Sequence, residues 1–510
     1  MRVLNNKGKF DIGLFVAVAL LVLACIVTVR SITSAVALDK DSGPEHFLLR
    51  QLKPVSVALI VFLTSVFGVL GVLVKNRRYD IGLFVLVMLL LGASIIMVDS
   101  ATSAVVLDRN GGPEQFVVRQ MQLVSLAMTV FLISIFINYR LLNRYWFLIF
   151  MVAVGLLVYV IVMPPIKGVH RWIRITDGLF FQVSDFARVA LILFLANVCN
   201  REWFKLDKFR ATVSDFTREI AREVRALFTK EKRKAWEFDL RRLRPFIPYI
   251  GIALICGLVV AGKAFSTTSI IFIIALAMLF VAGAKFRHIL LFTGMSALVG
   301  ALYLFRPRSG GHIAAANIAG DGIAAKGLWE SVTASAGYQA QRFVNFLNPS
   351  ANLQGANYQP MQSEAALGNG GFGGVGLGRG MQKEFHLPEP HTDYMLSIFG
   401  EELGFLGIML LFTVFALIVI KGFSISLKAP DRSGRFIAFG LTFMIAVYVL
   451  FHAAVVTRLA PATGVPMPFL SYGGTNLLFT MWSLGILFNI SSQIERRKKV
   501  RKAEAGGAVP

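Results

Sequence analysis

Charge is the first scarcity. Only 16% of the 510 residues are charged, against about a quarter in a soluble domain, and acidic side chains are the rarer sign, 29 against 52 lysines and arginines. With 56% apolar residues and a mean hydropathy of +0.66, a soluble globular protein is excluded and a polytopic membrane protein is implied. Cysteine is scarce too. Cys25, Cys199 and Cys256 lie in or at the ends of apolar runs, which excludes a disulfide framework and leaves buried, inert thiols. Phosphate-loop signatures are missing: the glycine run from Gly368 to Gly380 is no Walker loop, and it lacks the strand that a dinucleotide fingerprint needs before it. No ligand cluster with metal spacing is visible, and no cofactor is evident.

What is present is apolar length. Twelve runs of near twenty residues, enough to cross about 30 Å of hydrocarbon as helices, centre near Ala19, Leu63, Leu89, Met128, Val154, Ala190, Leu254, Ile274, Ser296, Leu411, Ile445 and Leu484. The fold class expected is an all-α polytopic membrane protein. The basic excess is parcelled among short loops at every second connection, Lys75 to Arg78, Arg140 and Arg144, Arg201 to Arg244, Lys285 to His288, Lys421 to Arg435 and Arg496 to Lys502. That is the positive-inside bias of a multi-pass protein with both termini cytoplasmic, not a nucleic-acid signal.

The first two runs are a repeat. FDIGLFVAVALLVL…SAVALDKDSGPEHFLLRQ from Phe10 recurs as YDIGLFVLVMLLLG…SAVVLDRNGGPEQFVVRQ from Tyr79, so a transmembrane hairpin is duplicated. Ala35-Val36-Ala37 resembles a signal-peptidase site, but the same segment serves internally, which makes the first copy an anchor or a partner-docking surface. The division expected is 1–78 for the extra hairpin, 79–495 for the main membrane domain and 496–510 for a basic cytoplasmic tail. Within the main domain, residues 200–245 read as a cytoplasmic basic amphipathic segment on the inner leaflet, with a regulator-binding arm as the alternative, and 306–393 as the one large outer loop.

Three stretches hold the polar chemistry. Pro164 to Asp185 places His170, Arg171 and Arg174 beside Trp172 in an outer loop, where arginines run against the charge bias; either the group anchors at the interface, or its guanidinium forks bind an anion. Asp185 and Arg188 follow at i,i+3 spacing, a pair or a functional site at membrane depth. Pro461 to Thr475, PATGVPMPFLSYGGT, carries three prolines before the last helix and predicts an interrupted segment lining a cavity. Tyr358 to Gly407 runs from a polar, glycine-rich loop, expected to act as a flexible lid, through Glu389, His391 and Asp393 into an apolar helix. Thr392 or Asp393 as a mere helix cap is the plain alternative there.

Four of these motifs together carry a family resemblance. HRWIRITDGLFFQVSDFARVALILFLA from His170, FLNPSANLQGANYQPMQSEAALGNGGFGGVGLGRGMQK from Phe346, HLPEPHTDYMLSIFGEELGFLG from His386 and GVPMPFLSYGGT from Gly464 resemble the SEDS family, the FtsW/RodA/SpoVE cell-wall polymerases. The match runs in family order over roughly Tyr79 to Arg501, and the GEELG and GVGLGRGMQK forms are nearer FtsW and SpoVE than RodA. The resemblance implies ten transmembrane helices plus the extra hairpin. It implies a glycosyltransferase that polymerises lipid II at the outer face of the cytoplasmic membrane, paired with a class B penicillin-binding protein and with other division or elongation proteins. The family's essential acidic residue falls on Asp393. The motifs carry substrate contact onto Arg171, Trp172, Arg188, Gln362, Ser363, Lys383, Glu389, His391, Thr392, Ser471, Tyr472, Gly473 and Gly474, with Arg342 close beside them. The chain departs from the family at His170, at Val183 and Asp185, at Arg188 where lysine is usual, and at Lys263 to Thr267, where no acidic residue stands.

Transfer from an α-linked lipid pyrophosphate to a hydroxyl, giving a β link, inverts the anomeric centre, so one displacement and one base suffice. Asp393 stands at a helix N-terminus, where the dipole favours the ionised form. The departing pyrophosphate needs cations, and Arg171, Arg188 and Arg342 are preferred over Arg174, Arg379 and Lys383. A divalent cation there is chemically compatible. Glu401 and Glu402 lie about 12 to 14 Å along a straight helix from Asp393, too far for direct chemistry, and read with Asp185 as polar support for a buried cation such as Arg188. A lipid-precursor flippase and a scaffold acting through the duplicated hairpin are the alternatives from other classes.

Overall fold

The computed structural model describes residues 80–102, 114–166, 169–176, 179–200, 246–284, 286–304, 342, 345–347, 357–385 and 392–505. The extra hairpin, nearly all of 200–245, much of the 306–393 loop with Glu389 and His391, and the end of the basic tail lie outside them.

The elements in order are α1 (Ile81–Thr102), α2 (Glu114–Phe136), α3 (Tyr139–Arg144), α4 (Trp146–Val162), β1 (Trp172–Thr176), β2 (Leu179–Gln182), α5 (Val183–Val198), α6 (Ile247–Ala261), α7 (Phe265–Val281), α8 (Phe286–Leu304), α9 (Tyr358–Gly370), α10 (Gln382–Phe385), α11 (Met395–Lys428), α12 (Arg432–Val456) and α13 (Gly474–Ala505). Five of them, α1, α2, α11, α12 and α13, contain stretches long and apolar enough to cross a membrane, and α4, α6, α7 and α8 are shorter apolar helices. The chain is a multi-pass membrane protein.

The all-α expectation needs one correction. Trp172–Thr176 and Leu179–Gln182 pair antiparallel, Trp172 opposite Gln182 and Arg174 opposite Phe180; β-branched and aromatic residues fill four of five positions in the first run and two of four in the second, which suits a pleated ribbon. The Val183 N–H donates to the Arg171 carbonyl at 3.3 Å, so the hairpin leads directly into α5.

Close helix approach follows from small residues, as expected where lipid supplies no hydrophobic drive between helices. Gly474 faces Leu123 and Gly485 faces Ser134, which lets α13 lie against α2; Phe131 of α2 meets Phe488 of α13 edge to face at 5.1 Å. At one end of the bundle Asp431 caps α12 through the Gly434 N–H (2.7 Å) and accepts the Tyr139 hydroxyl (2.9 Å). Burial, reinforced by Asp431, pushes the Tyr139 hydroxyl well above the usual phenol range. Asn489 accepts the Tyr139 N–H and donates to the Ile135 carbonyl, tying α13 to the α2–α3 corner. Lys421 of α11 meets Asp80, whose other role is to cap α1.

The opposite end, where α12 finishes and α5, α11 and α13 begin, is built differently. Helix α11 is broken at Gly404 (φ 67°, ψ −167°), a conformation closed to side-chain-bearing residues. The break frees backbone groups that a membrane cannot satisfy. The glycine loop after α9 fills it: the Val375 and Gly376 N–H groups donate to the Glu401 and Glu402 carbonyls, both at 3.0 Å, and Phe405 and Leu406 donate back to Gly371 and Phe372. Any Cβ at Gly374 would strike the Glu402 carbonyl. The loop expected to be a lid is therefore, from Gly371 to Gly376, a plug in a helix break.

Candidate active site

Asp393 is half-buried, one residue before Tyr394, the N-cap of α11. Tyr394 makes no side-chain capping bond. The Asp393 carboxylate lies against Gly464, in the irregular segment between α12 and α13: a methyl group on Gly464 would stand 3.2 Å from Asp393 Oδ2. Two residues earlier on that segment, the Ala462 carbonyl accepts Arg342 Nη1 at 3.2 Å. Asp393 and Arg342 thus both border the stretch 462–464, at the positive end of the α11 dipole.

The rest of the segment is compact and strained. Phe469 is buried with φ 67°, an uncommon state for a bulky residue. Ser471 accepts the Met467 N–H at 2.8 Å. Tyr472, Gly473 and Gly474 are half-buried at the start of α13. Burial raises the Tyr472 hydroxyl above the usual phenol range, against the pull of the Arg119 charge nearby, so the phenol stays neutral as a donor.

A second polar group sits where α5, α12 and α13 meet. Arg188, only 2% exposed, reaches Asp185 at 3.4 Å, donates to Asn476 Oδ1 at 2.8 Å and lies over the Tyr448 ring at 4.4 Å. Arg171 stacks on Trp172 at 5.7 Å and its charge reaches Asp185. Arg171 and Trp172 are half-buried on the hairpin, while Arg188 is enclosed. The partners that enclose it, Tyr448 and Asn476, come from helices far away in sequence.

A third group lies behind the helix break. Lys383 Nζ donates to Glu402 Oε1 at 2.7 Å and to Ser100 at 2.8 Å, and Ser100 donates to the same carboxylate at 2.5 Å; the Lys383 and Glu402 side chains have no exposure. Glu401 accepts the Met381 and Gln382 N–H groups at 3.1 and 3.3 Å. The buried cation beside Glu402 is thus Lys383, in place of the Arg188 that the sequence suggests. Lys383, expected among the substrate contacts, points at a carboxylate and a serine, because α10, a few residues after the plug, packs it against Glu402 of α11 and Ser100 of α1. Ser363 is also inside, bonded to Ser397 at 2.6 Å and to the Val456 carbonyl at 3.0 Å, and joins α9, α11 and α12. Gln362 and Thr392 are half-buried.

No individual role is legible in the sequence for Gly464, Arg119, Ser100, His452 or Ser397, although Gly464 and Ser397 lie inside the family motifs and Arg119 inside the repeat. Gly464 opens the stretch GVPMPFLSYGGT, and a glycine next to prolines is the available signal; the others take their meaning from tertiary neighbours alone. Among the described residues no three His, Cys, Asp or Glu side chains gather as a metal site would require.

The chain is similar to known proteins in both sequence and fold. Residues 80–496 match the FtsW/RodA/SpoVE family, described as cell cycle protein. The chain is 31% identical over 425 residues, 82% of its length and 95% of the relative's, to a probable peptidoglycan glycosyltransferase FtsW of Trichlorobacter lovleyi. It is 30% identical over 423 residues to stage V sporulation protein E of Bacillus subtilis, covering 82% of this chain and 98% of that one. Its fold is similar to a chain of a solved peptidoglycan synthase complex (TM-score 0.58, 20% identity, 82% of this chain and 98% of that one). It is similar also to the rod shape determining protein RodA of Thermus thermophilus (TM-score 0.51, 20% identity, 81% and 96%). Matched over most of its length in both sequence and fold, the chain belongs to the FtsW/RodA/SpoVE family and is FtsW-like within it.

Proposed function

We infer that the protein is a peptidoglycan glycosyltransferase that polymerises lipid II, with Asp393 as its general base. The relatives named FtsW support the reaction class. The observation that carries the assignment of the base is the meeting of Asp393 and Arg342 on one three-residue stretch, 462–464. A carboxylate beside a helix N-terminus starts ionised and takes the proton of the acceptor hydroxyl as that oxygen attacks C1 of the donor sugar. The C1–O bond to the diphosphate breaks in the same displacement, inverting the centre, and the electron pair leaves with the diphosphate. Guanidinium groups of Arg342 and Arg171 meet the charge that grows there, each contributing ~3 kcal/mol on the scale of a single oxyanion donor.

In this reading Arg188, Lys383, Glu401, Glu402 and Asp185 hold the frame, and Trp172, Gln362, Thr392, Tyr472, Gly473 and Gly474 border the substrate, with Glu389 and His391 next to the base in sequence. The membrane domain has ten helices preceded by the duplicated pair, both termini are cytoplasmic and the site faces outward. A class B penicillin-binding protein is the partner, in keeping with the structural neighbour that belongs to a peptidoglycan synthase complex coordinating polymerisation and crosslinking.

Purified protein with its transpeptidase partner, supplied with lipid II, is expected to make glycan strands. Movement of lipid II across liposomes without any glycan would overturn the assignment in favour of transport.

A further inference from the structure

The segment that carries Gly464 has little to hold it in place by itself. Pro461, Pro466 and Pro468 lack N–H groups, and among the described residues no backbone-to-backbone hydrogen bond involves 461–466. Side chains do the holding. Arg342 donates to the Ala462 carbonyl, Ser471 accepts the Met467 N–H, and between them His452 Nδ1 lies 2.8 Å from the Val465 carbonyl. A carbonyl can only accept, so Nδ1 is the protonated nitrogen and the imidazole is the Nδ1–H tautomer when neutral.

His452 is 1% exposed, on the last turns of α12. Its Nε2 is buried and without a hydrogen-bond partner among the described residues. An unsatisfied buried nitrogen costs stability, so packing alone does not account for a histidine here. The bond at Nδ1 ends at Val465, the residue after Gly464, and Gly464 is what Asp393 rests against. Four residues further along α12, the Val456 carbonyl accepts Ser363, so the same helix end is also fastened to α9.

We propose that His452 is a positioning residue for glycosyl transfer: its Nδ1–H fixes the Val465 carbonyl and so sets Gly464 against the Asp393 carboxylate. The proposal rests on the assignment of Asp393 as base. It predicts that loss of the Nδ1 donor loosens 461–467 and lowers turnover, while substrate affinity, set by groups elsewhere, changes little. Misplacement of a catalytic group by an ångström costs up to about 100-fold in rate.

The test compares three variants of the full-length protein with its partner. Asparagine keeps a donor where Nδ1 stood, glutamine moves it to the Nε2 position, and leucine removes it. His452→Leu and His452→Gln should lower kcat by roughly 10- to 100-fold with KM within about twofold, and His452→Asn should recover most of the rate. Hydrogen exchange over 461–467, which reads position without turnover, should quicken in His452→Gln and stay near wild type in His452→Asn. If asparagine and glutamine behave alike in both readouts, or if either of leucine and glutamine keeps full kcat, the proposal is wrong. Asp393→Ala runs in parallel: turnover in that variant removes the base assignment, whereas an inactive Asp393→Ala beside a fully active His452→Gln removes only the role of His452.

Discussion

Asp393 Oδ2 lies so close to Gly464 that one added methyl group would stand 3.2 Å from it, tighter than ordinary contact. The carboxylate would have to give way by a few tenths of an ångström. Gly464→Ala should therefore lower kcat about tenfold, short of the roughly 100-fold that a full ångström costs, with thermal stability near wild type. Lipid II polymerisation and a melting curve on the same sample check this, and an unchanged kcat would show that Gly464 does not set the position of the base.

Arg342 reaches the Ala462 carbonyl with one nitrogen, and a guanidinium has five N–H groups in all with which to bridge a carbonyl and a diphosphate. Arg342→Ala should reduce kcat by about 10²- to 10³-fold, the scale of losing one donor to developing charge. Arg342→Lys should recover only part of it, since a lysine keeps the charge and loses the fork. Equal activity of the arginine and lysine enzymes would show that charge alone matters there.

Lys383 and Glu402 form an ion pair with neither side chain exposed. Removing one partner leaves a buried charge, so Lys383→Met should destabilise the protein by about 3–5 kcal/mol. The double variant Lys383→Met, Glu402→Gln should regain much of that. Melting temperatures of the two in detergent provide the comparison, and a double variant no more stable than the single one would argue against the pairing.

The plug at the helix break gives the sharpest packing prediction. Gly374 has φ 81° and no room for a Cβ beside the Glu402 carbonyl. Gly374→Ala combines backbone strain with a clash against a main-chain oxygen, and should cost upwards of about 2 kcal/mol. Gly373→Ala next to it, with nothing within 4 Å, should be nearly neutral. Similar yields and melting points for both would mean that the loop is not wedged in the break.

The membrane class and the start of a helix just after Asp393 are legible in the sequence because each leaves a local mark: a long apolar run, or a polar, Pro-flanked cluster leading directly into one. The hairpin of Trp172–Thr176 and Leu179–Gln182 is hidden by its length, since two such short strands leave little alternation to count. Lys383 misleads for another reason. A cation in a polar loop looks free until the fold brings Ser100, from 283 residues earlier, to its ammonium. The glycine run tells of backbone freedom, but not whether that freedom serves motion or close packing; the Gly404 break, which decides it, has no signature in a run reading GEELGFLG. Arg188 and Asp185 are legible as a pair, at i,i+3 on one helix, while the Tyr448 and Asn476 contacts that enclose Arg188 depend on tertiary structure alone.

Everything proposed for the chemistry turns on one carboxylate removing the acceptor proton. Asp393→Asn keeps the shape of the side chain and abolishes its basicity, so the decisive measurement is lipid II polymerisation by this variant, purified with its partner and matched in melting temperature to wild type. A general base at Asp393 requires a fall in kcat of at least about 100-fold, the lower bound for losing such a group. Glycan synthesis within a few-fold of wild type would mean that the proton leaves by another route.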